Sequence, residues 1–472
     1  MINDKKDIFL KTKDKIIALY VDNRKTLVSF DNAYVNNLRE ESFKHFSEIG
    51  FPTQSLEEWR NTNLSSMFSR DYEFSFLPPN NGTDFRKVFQ CNVPHFKTEL
   101  IALLNGWFVS EHENLYSNAD GVIIGSFAEA IKTHPLIIEK HFARYADYST
   151  NGMVALNTAI AQDGIFIYVP DNVSASIPIQ MVNVIKHERE LFIHSRNLII
   201  VGQNSRITIV QCEDSYNEEA SFTNAVTEVF LDNNSSVEHY KMQNLNNHST
   251  LVNTTYFHQE EGSKLISHSI TLNGGMIRND INVKYNGKFC DAELNGIYLM
   301  DKDQHVDNHL FIDHACSDGT SRQLYKGILD DYAKGVFNGH VLVRKDAQRT
   351  NAFQSNRNIL LTDKTTINTK PFLEIYADDV KCSHGATIGQ LDTEALFYLQ
   401  ARGIGIDNAR MLLLYAFAAE VIGKISIEPL KIRIDDMVKK RLRGELSICD
   451  QCVLHCSSKE KSVTFDIDIS KL

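Results

Sequence analysis

The sequence predicts a mainly β protein, with a long β core held between a helical N-terminal zone and a helical C-terminal zone. Three observations lead there. Between residues 151 and 391, short β-rich runs recur roughly every ten residues, separated by Asn, Asp, Gly and Ser. No helical period survives across that span. On either side of it, apolar residues return to helical spacing, with Gly and Pro at the stops.

The first zone, residues 1–150, is read as mostly helical. Gly50 and Pro52 end a helical pattern that contains Leu38, Phe46 and Ile49. In "SLEEWR", Ser55 and Glu58 have the spacing of a capping box, which predicts a helix start. "IALLNG", "FAEAIKTHP" and "ALNTAIAQDG" read as further short helices. The second zone, 151–391, holds runs such as "GIFIYVP", "IPIQMVNVI", "SRITIVQC", "KLISHSITL", "AELNGIYLM" and "GHVLVRKD". Within "IPIQMVNVI", Ile177, Ile179 and Met181 alternate with Pro178, Gln180 and Val182. A sandwich or barrel needs repeated hairpin turns, yet Asn-Gly turns are few: "YNGK" at Tyr285 and "FNGH" at Phe337. A solenoid-like coil, each strand paired with the strand one turn later, fits better.

The third zone, 392–443, is helical again. Asp392 caps "TEALFYLQARG", with Gly403 as its stop. Asp407 caps "NARMLLLYAFAAEVIG", with Gly423 as its stop, and Pro429 suits the first position of "PLKIRIDDMVKKRL". The middle helix is apolar nearly all round, so burial on several sides is expected. So small a unit has little core of its own and must lean on the β zone, on a partner, or on both. Residues 444–472 form a cysteine-containing tail, in which Val463, Phe465, Ile467 and Ile469 alternate as in a strand.

Bulk properties narrow the function. A chain of 472 residues suits two or three domains. A net charge of −11 argues against binding nucleic-acid phosphates. The apolar run from Met411 to Ala419 is too short to span a bilayer, so no membrane partner is expected. The start lacks an apolar signal region, and eight cysteines spread over this length read as reduced thiols, which predicts a cytoplasmic protein. P-loop, dinucleotide-binding, zinc-protease and nucleophile-elbow motifs do not occur.

Three constellations could carry chemistry. In "KCSHGATIGQ", Cys382 and His384 are two apart, so on a strand they share a face. Thiolate and imidazole suit iron or zinc, but two ligands are too few for a closed site. The alternative is a buried cysteine beside a hydrogen-bonded histidine. In "DKDQHVDNHLFIDH", His305, Asp307 and His309 share one face of a strand, with Asp301 and Asp303 in the same parity. They could hold a metal, or they could be a solvated outer face. In the tail, Cys449, Cys452 and Cys456 have C-x2-C-x3-C spacing beside His455, a pattern that suits metal or thiol chemistry but lacks a second arm.

"PFLEIYADDVKCSHGATIGQLDTEALFYLQARGI" closely resembles the signature of the SufB/SufD family of iron–sulfur cluster assembly proteins. "SRQLYKGILDDYAKGVFNGHVLVRKDAQRTNAFQSNRNILL", "QHVDNHLFIDH" and "LEEWRNTNL" add to the resemblance, which runs from about 50 to 443. Gly385 and the run Gly389 to Asp392 resemble the SufD branch. The resemblance implies a right-handed parallel β-helix core flanked by helical N-terminal and C-terminal domains. It also implies a complex with SufB-like and SufC-like (ABC ATPase) proteins, the ATPase docking on 392–443. That would place the nucleotide site on another chain, in accord with the missing P-loop. In the family, the histidine carried here by His384 faces a SufB cysteine across an interface where clusters assemble, with Cys382 as the neighbouring thiol. The expected role is a non-enzymatic scaffold with no tightly bound cofactor, meeting iron or an iron–sulfur cluster transiently. A homodimer is expected in isolation, because an exposed solenoid end templates pairing. The C-x2-C-x3-C tail departs from the family pattern. Two other readings compete: a β-helix enzyme acting on polysaccharide through Asp301, Asp303 and Asp307, and a metal-binding protein that works through its tail alone.

Overall fold

A computed structural model describes residues 2–29, 31–79, 96–110 and 113–443. Helices α1 (Ile2–Leu27) and α2 (Ala33–Ile49) open the chain. Asn32 caps α2 by accepting from the Val35 N–H, and Gly50, at φ +73°, ends it. The capping box expected at Ser55 does not form. Ser55 pairs with the Thr53 hydroxyl at 2.6 Å, and only a single 3-10 turn, Glu57–Trp59, follows. A short strand β1 (Glu73–Phe74) comes next. "IALLNG", expected as a helix, is strand β2 (Glu99–Leu104), hairpinned to β3 (Trp107–Val109). A run this short, with Ile101 to Leu104 all buried, suits a strand covered on both faces. Strands β4 (Leu115–Ser117) and β5 (Ile123–Ser126) lead into helices α3 (Phe127–Thr133), α4 (Pro135–His141) and α5 (Gly152–Ile160). At Gly152 a Cβ would lie 1.9 Å from the Gly50 carbonyl oxygen, so the start of α5 can sit there only without a side chain.

The core is a parallel β-solenoid of about seven turns. One stack holds β6 (Ile165–Val169), β8 (Leu191–Val201), β10 (Ser221–Leu231), β12 (Thr250–Gln259), β14 (Met276–Tyr285), β16 (His305–His314), β18 (Lys334–Val343) and β20 (Thr366–Ile375). The other holds β7 (Ile179–Ile185), β9 (Arg206–Ser215), β11 (Ser236–Asn244), β13 (Lys264–Asn273), β15 (Asp291–Met300), β17 (Thr320–Leu329), β19 (Thr350–Leu360) and β21 (Val380–Gly389). Pairing is coil on coil: His305 lies beside Met276 and Lys334, each twenty-nine residues away. "FNGH" is not a hairpin turn, since Asn338 and Gly339 sit in mid-β18. A Cβ on Gly339 would fall 1.9 Å from Gln354 Nε2, so packing rather than turning calls for that glycine.

Several strands carry polar residues on their inward positions. Gln354 donates to Gln323 at 2.7 Å and Asn279 to Asn308 at 3.1 Å. These rungs satisfy buried amides from one coil to the next. Around them packs the apolar interior, from Ile101 and Ile167 to Leu329 and Phe337.

Helices α6 (Thr393–Ala401), α7 (Ile406–Ile422) and α8 (Glu428–Leu442) close the chain. Asp392 caps α6 as expected, accepting from the Glu394 and Ala395 N–H groups, and Gly403 at φ +87° follows it. The cap of α7 is Gly405, not Asp407, which stands in its first turn. α7 and α8 lie on the outer face of the odd-numbered stack, where Leu414, Val421, Ile434 and Met437 meet Val210, Met242, Ile297 and Ile328. Arg441 clamps Asp301 at 2.6 and 2.7 Å, and Lys326 donates to the Phe417 carbonyl at 2.9 Å.

The opposite outer face is covered by the N-terminal zone, and two buried arginines fix it there. Arg196 pairs with Glu228 at 2.6 Å, and the same carboxylate accepts from the N–H groups of Ala143, Tyr145 and Ala146. Arg278 pairs with Asp280 and Asp307, donates to the Glu58 carbonyl at 2.9 Å and stacks 3.7 Å from the Trp59 ring. Removing one partner of such a pair strands the other as a buried charge. Glu228→Ala should therefore lower unfolding free energy by about 3–5 kcal/mol, measured by urea denaturation; a loss near that of an exposed glutamate would overturn this account.

Burial also holds several imidazoles neutral: His194 is pushed down to about 3, and His141, His268 and His314 to about 4. In the unfolded chain each titrates near 6.5. Between these values the unfolded state binds more protons, so the folded state is at full advantage above about pH 6.5 and loses it as pH falls toward 4. His268 stacks on Tyr240 at 5.0 Å. His268→Leu should flatten the acid side of the stability–pH curve by up to about 1.4 kcal/mol per pH unit; an unchanged slope in denaturation series from pH 7 to 4.5 would contradict the assignment.

Candidate functional site

The strands β20 and β21 end their stacks. β21 pairs only with β19, and β20 only with β18, so among the described residues each has one hydrogen-bonding edge without a strand neighbour. Parallel pairing makes this end open, because the peptide groups that would bind a further coil face outward. Cys382 and His384 stand in register with Ala352 and Gln354, two buried residues of the previous coil. They share one face, the face that earlier coils turn into the interior. His384 is exposed, and its ring makes no hydrogen bond among the described residues. Cys382 is half-buried among Val341, Ala347, Ala352 and Val380, and burial pushes its thiol up from the ordinary cysteine range. At Gly385 an added Cβ would meet nothing within 4 Å, so packing within this chain leaves that position free.

Around the strand pair lies an apolar surface. Phe353, Phe372, Tyr376 and Ile388 are exposed, and α6 has no buried residue at all, with Phe397 73% exposed. A nine-residue helix that buries nothing has little stability of its own in water. The sequence predicts this helix within a unit that must lean on the β zone, on a partner, or on both; among the described residues this helix has no seat.

His305, Asp307 and His309 lie on one face, as expected, but Arg278 and the N-terminal segment occupy it. Thr62 contacts His305 Nε2 at 2.9 Å and donates to Asp307 at 2.6 Å; Arg278 takes the same Asp307 oxygen at 2.5 Å. Burial holds both imidazoles below their usual range. A divalent cation here would stand beside a guanidinium, and among the described residues no group of three His, Cys, Asp or Glu side chains is placed to hold a metal. The residues in this knot that the sequence reading did not link are Thr62, Trp59 and Arg278. Asp301 and Asp303 do not continue the face; they precede β16 in a turn, Asp301 under Arg441. An acidic groove of Asp301, Asp303 and Asp307 is therefore not formed. Cys449, Cys452 and Cys456 lie outside the described residues. No helix among the described residues is long and apolar enough to cross a membrane.

Comparison with known proteins accounts for nearly the whole described chain. Residues 183–417 match the SufBD core domain of the SUF system for FeS cluster assembly, and 10–181 match the SufBD protein N-terminal region. The chain belongs to the SufB/SufD family. An iron-sulfur cluster assembly SufBD family protein of Synechocystis is 29% identical over 423 residues, 87% of this chain and 92% of the relative. The iron-sulfur cluster assembly protein SufD of Escherichia coli is 33% identical over 253 residues, 53% of this chain and 59% of the relative. SufD of Bacillus subtilis is 28% identical over 329 residues, 68% and 74% of the two chains. The SufB/SufD core match spans β8 to β21 and runs on through α6 into α7, so the open strands and the unseated helix both belong to the shared unit.

In this member of the family Cys382 should be a slow nucleophile. Alkylation of the folded chain, followed by peptide mass mapping, should modify Cys382 more slowly than free cysteine at neutral pH, with a rate still climbing where free cysteine has levelled off. A rate equal to free cysteine would overturn the burial argument.

Proposed function

We propose that this chain is a SufD-like scaffold subunit, not itself an enzyme, that supports iron–sulfur cluster assembly in the cytoplasm at an interface shared with a SufB-like partner. The observation that carries this reading is the open last coil, which presents His384 and Cys382 on β21, a strand paired on one edge only, inside an apolar surface. Strand edges and exposed aromatics of this kind favour a second solenoid end as the partner. His384 then supplies an imidazole and the partner supplies a thiol, so that iron or a nascent cluster, as cargo, meets ligands from both chains. Cys382, half-buried and protonated, is secondary. A SufC-like ATPase docked on α6 to α8 would drive the interface open and shut. Without a partner, two copies of this chain would pair through the same end as a homodimer.

Coexpression with SufB-like and SufC-like chains, pulling down on this chain, should recover all three at fixed stoichiometry. His384→Ala should leave that recovery intact, because the side chain is exposed, while cluster formation in cells falls at least about tenfold. Unchanged cluster formation would remove His384 from the mechanism, and failure to recover either partner would remove the scaffold reading.

A further inference from the structure

We infer that Gln354 is a positioning residue for His384: its Oε1 accepts the Nδ1–H of the imidazole and so turns Nε2 toward the shared interface. The inference rests on the role proposed for His384.

Three amides of β19 share its inward face, Gln354, Asn356 and Asn358, and all are buried. Two of them are fully engaged. Asn356 Oδ1 accepts from Asn358 at 2.7 Å and from the Thr369 hydroxyl at 2.8 Å, and Asn356 Nδ2 donates to the Tyr325 carbonyl at 3.2 Å. Asn358 Oδ1 accepts from the Tyr298 hydroxyl, and its Nδ2 is the group that donates to Asn356. Gln354 differs. Its Nε2 donates to Gln323 at 2.7 Å, while its Oε1 is buried and has no hydrogen-bond partner among the described residues. A buried carbonyl oxygen left without a donor is costly.

The way amides stack gives the direction in which that oxygen is open. Along a parallel stack an amide donates to one neighbouring coil and accepts from the other. The corner asparagines of this chain do so, Asn234 donating to Asn204 at 3.3 Å and Asn204 to Asn172 at 3.1 Å. Gln354 gives its N–H to the preceding coil, so its acceptor is open toward the following one. Gly339 makes room for this arrangement, since a Cβ there would fall 1.9 Å from Gln354 Nε2. In the following coil the residue in register is His384, on the same face and about 4.8 Å away along the stack.

His384 thus stands where a further glutamine would continue the ladder. The two nitrogens of an imidazole point to opposite sides of the ring, so a bond from one fixes the direction of the other. Nδ1 is nearer the main chain and suits the contact with the neighbouring coil. Nε2 reaches farther and keeps its lone pair for the cargo metal. Only rotation of the exposed His384 side chain is required, so the bond can form in the chain alone.

Solid-state NMR of the full chain, labelled with nitrogen-15 in its histidine rings, reads the tautomer; His384 is assigned by its loss in His384→Ala. His384 should carry its proton on Nδ1, the reverse of the form that predominates in free histidine. Gln354→Leu keeps the bulk and removes the acceptor. It should return His384 to the Nε2–H form and lower cluster formation in cells at least about tenfold, with partner recovery and melting like the parent. Gln323→Leu breaks the same ladder one coil lower and should leave the proton on Nδ1. An Nε2–H ring in the parent, which is decisive even where a variant fails to fold, would overturn the positioning role, as would a tautomer indifferent to Gln354→Leu. If the tautomer responds as expected but His384→Ala leaves cluster formation unchanged, the contact stands and the proposed function falls.

Discussion

The architecture depends on coil-on-coil parallel pairing. Each strand of a solenoid is stable because a strand lies on both sides of it, so the fold must deal with its two ends. At the first end the chain does so by itself. β2 pairs with β7 and turns back through β3, while β5 pairs antiparallel with β6 and is edged by β4. Antiparallel hairpins thus stop the stack. At the other end, nothing comparable occurs among the described residues: β20 and β21 finish, and the chain leaves for α6. Among the described residues, the chain caps one edge with its own elements and leaves hydrogen bonding incomplete at the other, among exposed apolar side chains.

The covered outer faces depend on charge as much as on apolar contact. Arg196 and Arg278 lie in β8 and β14, on the same face, and both are almost fully buried. Each is neutralised by carboxylates of its own or a neighbouring strand, and each sits against a backbone group or ring of the N-terminal zone. Buried arginines with so many partners stabilise a specific seating more than they stabilise the chain as a whole. The three backbone N–H groups that Glu228 accepts fix residues 143–146 in one conformation, a restriction that apolar packing alone would leave looser.

The β core, the two helical flanks, the caps at Asp392 and Gly423 and the Pro429 start were legible because each rests on local chemistry. Four strands, β12, β17, β19 and β20, were harder to read. Polar residues stand at inward positions of several of them; Gln323 of β17 and Gln354 of β19 bond each other from neighbouring coils, thirty-one residues apart, so a local window sees polarity where the fold has a buried ladder. The same distance hid the fate of His305, Asp307 and His309. Their shared face was correctly inferred from a period of two, but Thr62, which binds two of them, is more than two hundred residues upstream. Of the site, the C-x-H face was legible and its openness was not. Whether a strand is the last of its stack is decided by what the chain does afterwards.

What it does afterwards links the two exposed features. β21 ends at Gly389, and Asp392 already caps α6, so a very short connection joins the unpaired strand to the unseated helix. β21 is held by one ladder of hydrogen bonds, to β19, and by Cys382 and its neighbours at its start; toward Ile388 it is exposed. α7 and α8 are anchored by Lys326, Lys424 and Arg441 to the body of the solenoid, and α6 is not. A force on α6 would therefore act on the weaker-held half of β21 before it disturbs anything else. His384 lies between the anchored Cys382 and the free end of the strand, at the point where such a pull would first move an exposed imidazole while leaving the core of the fold in place.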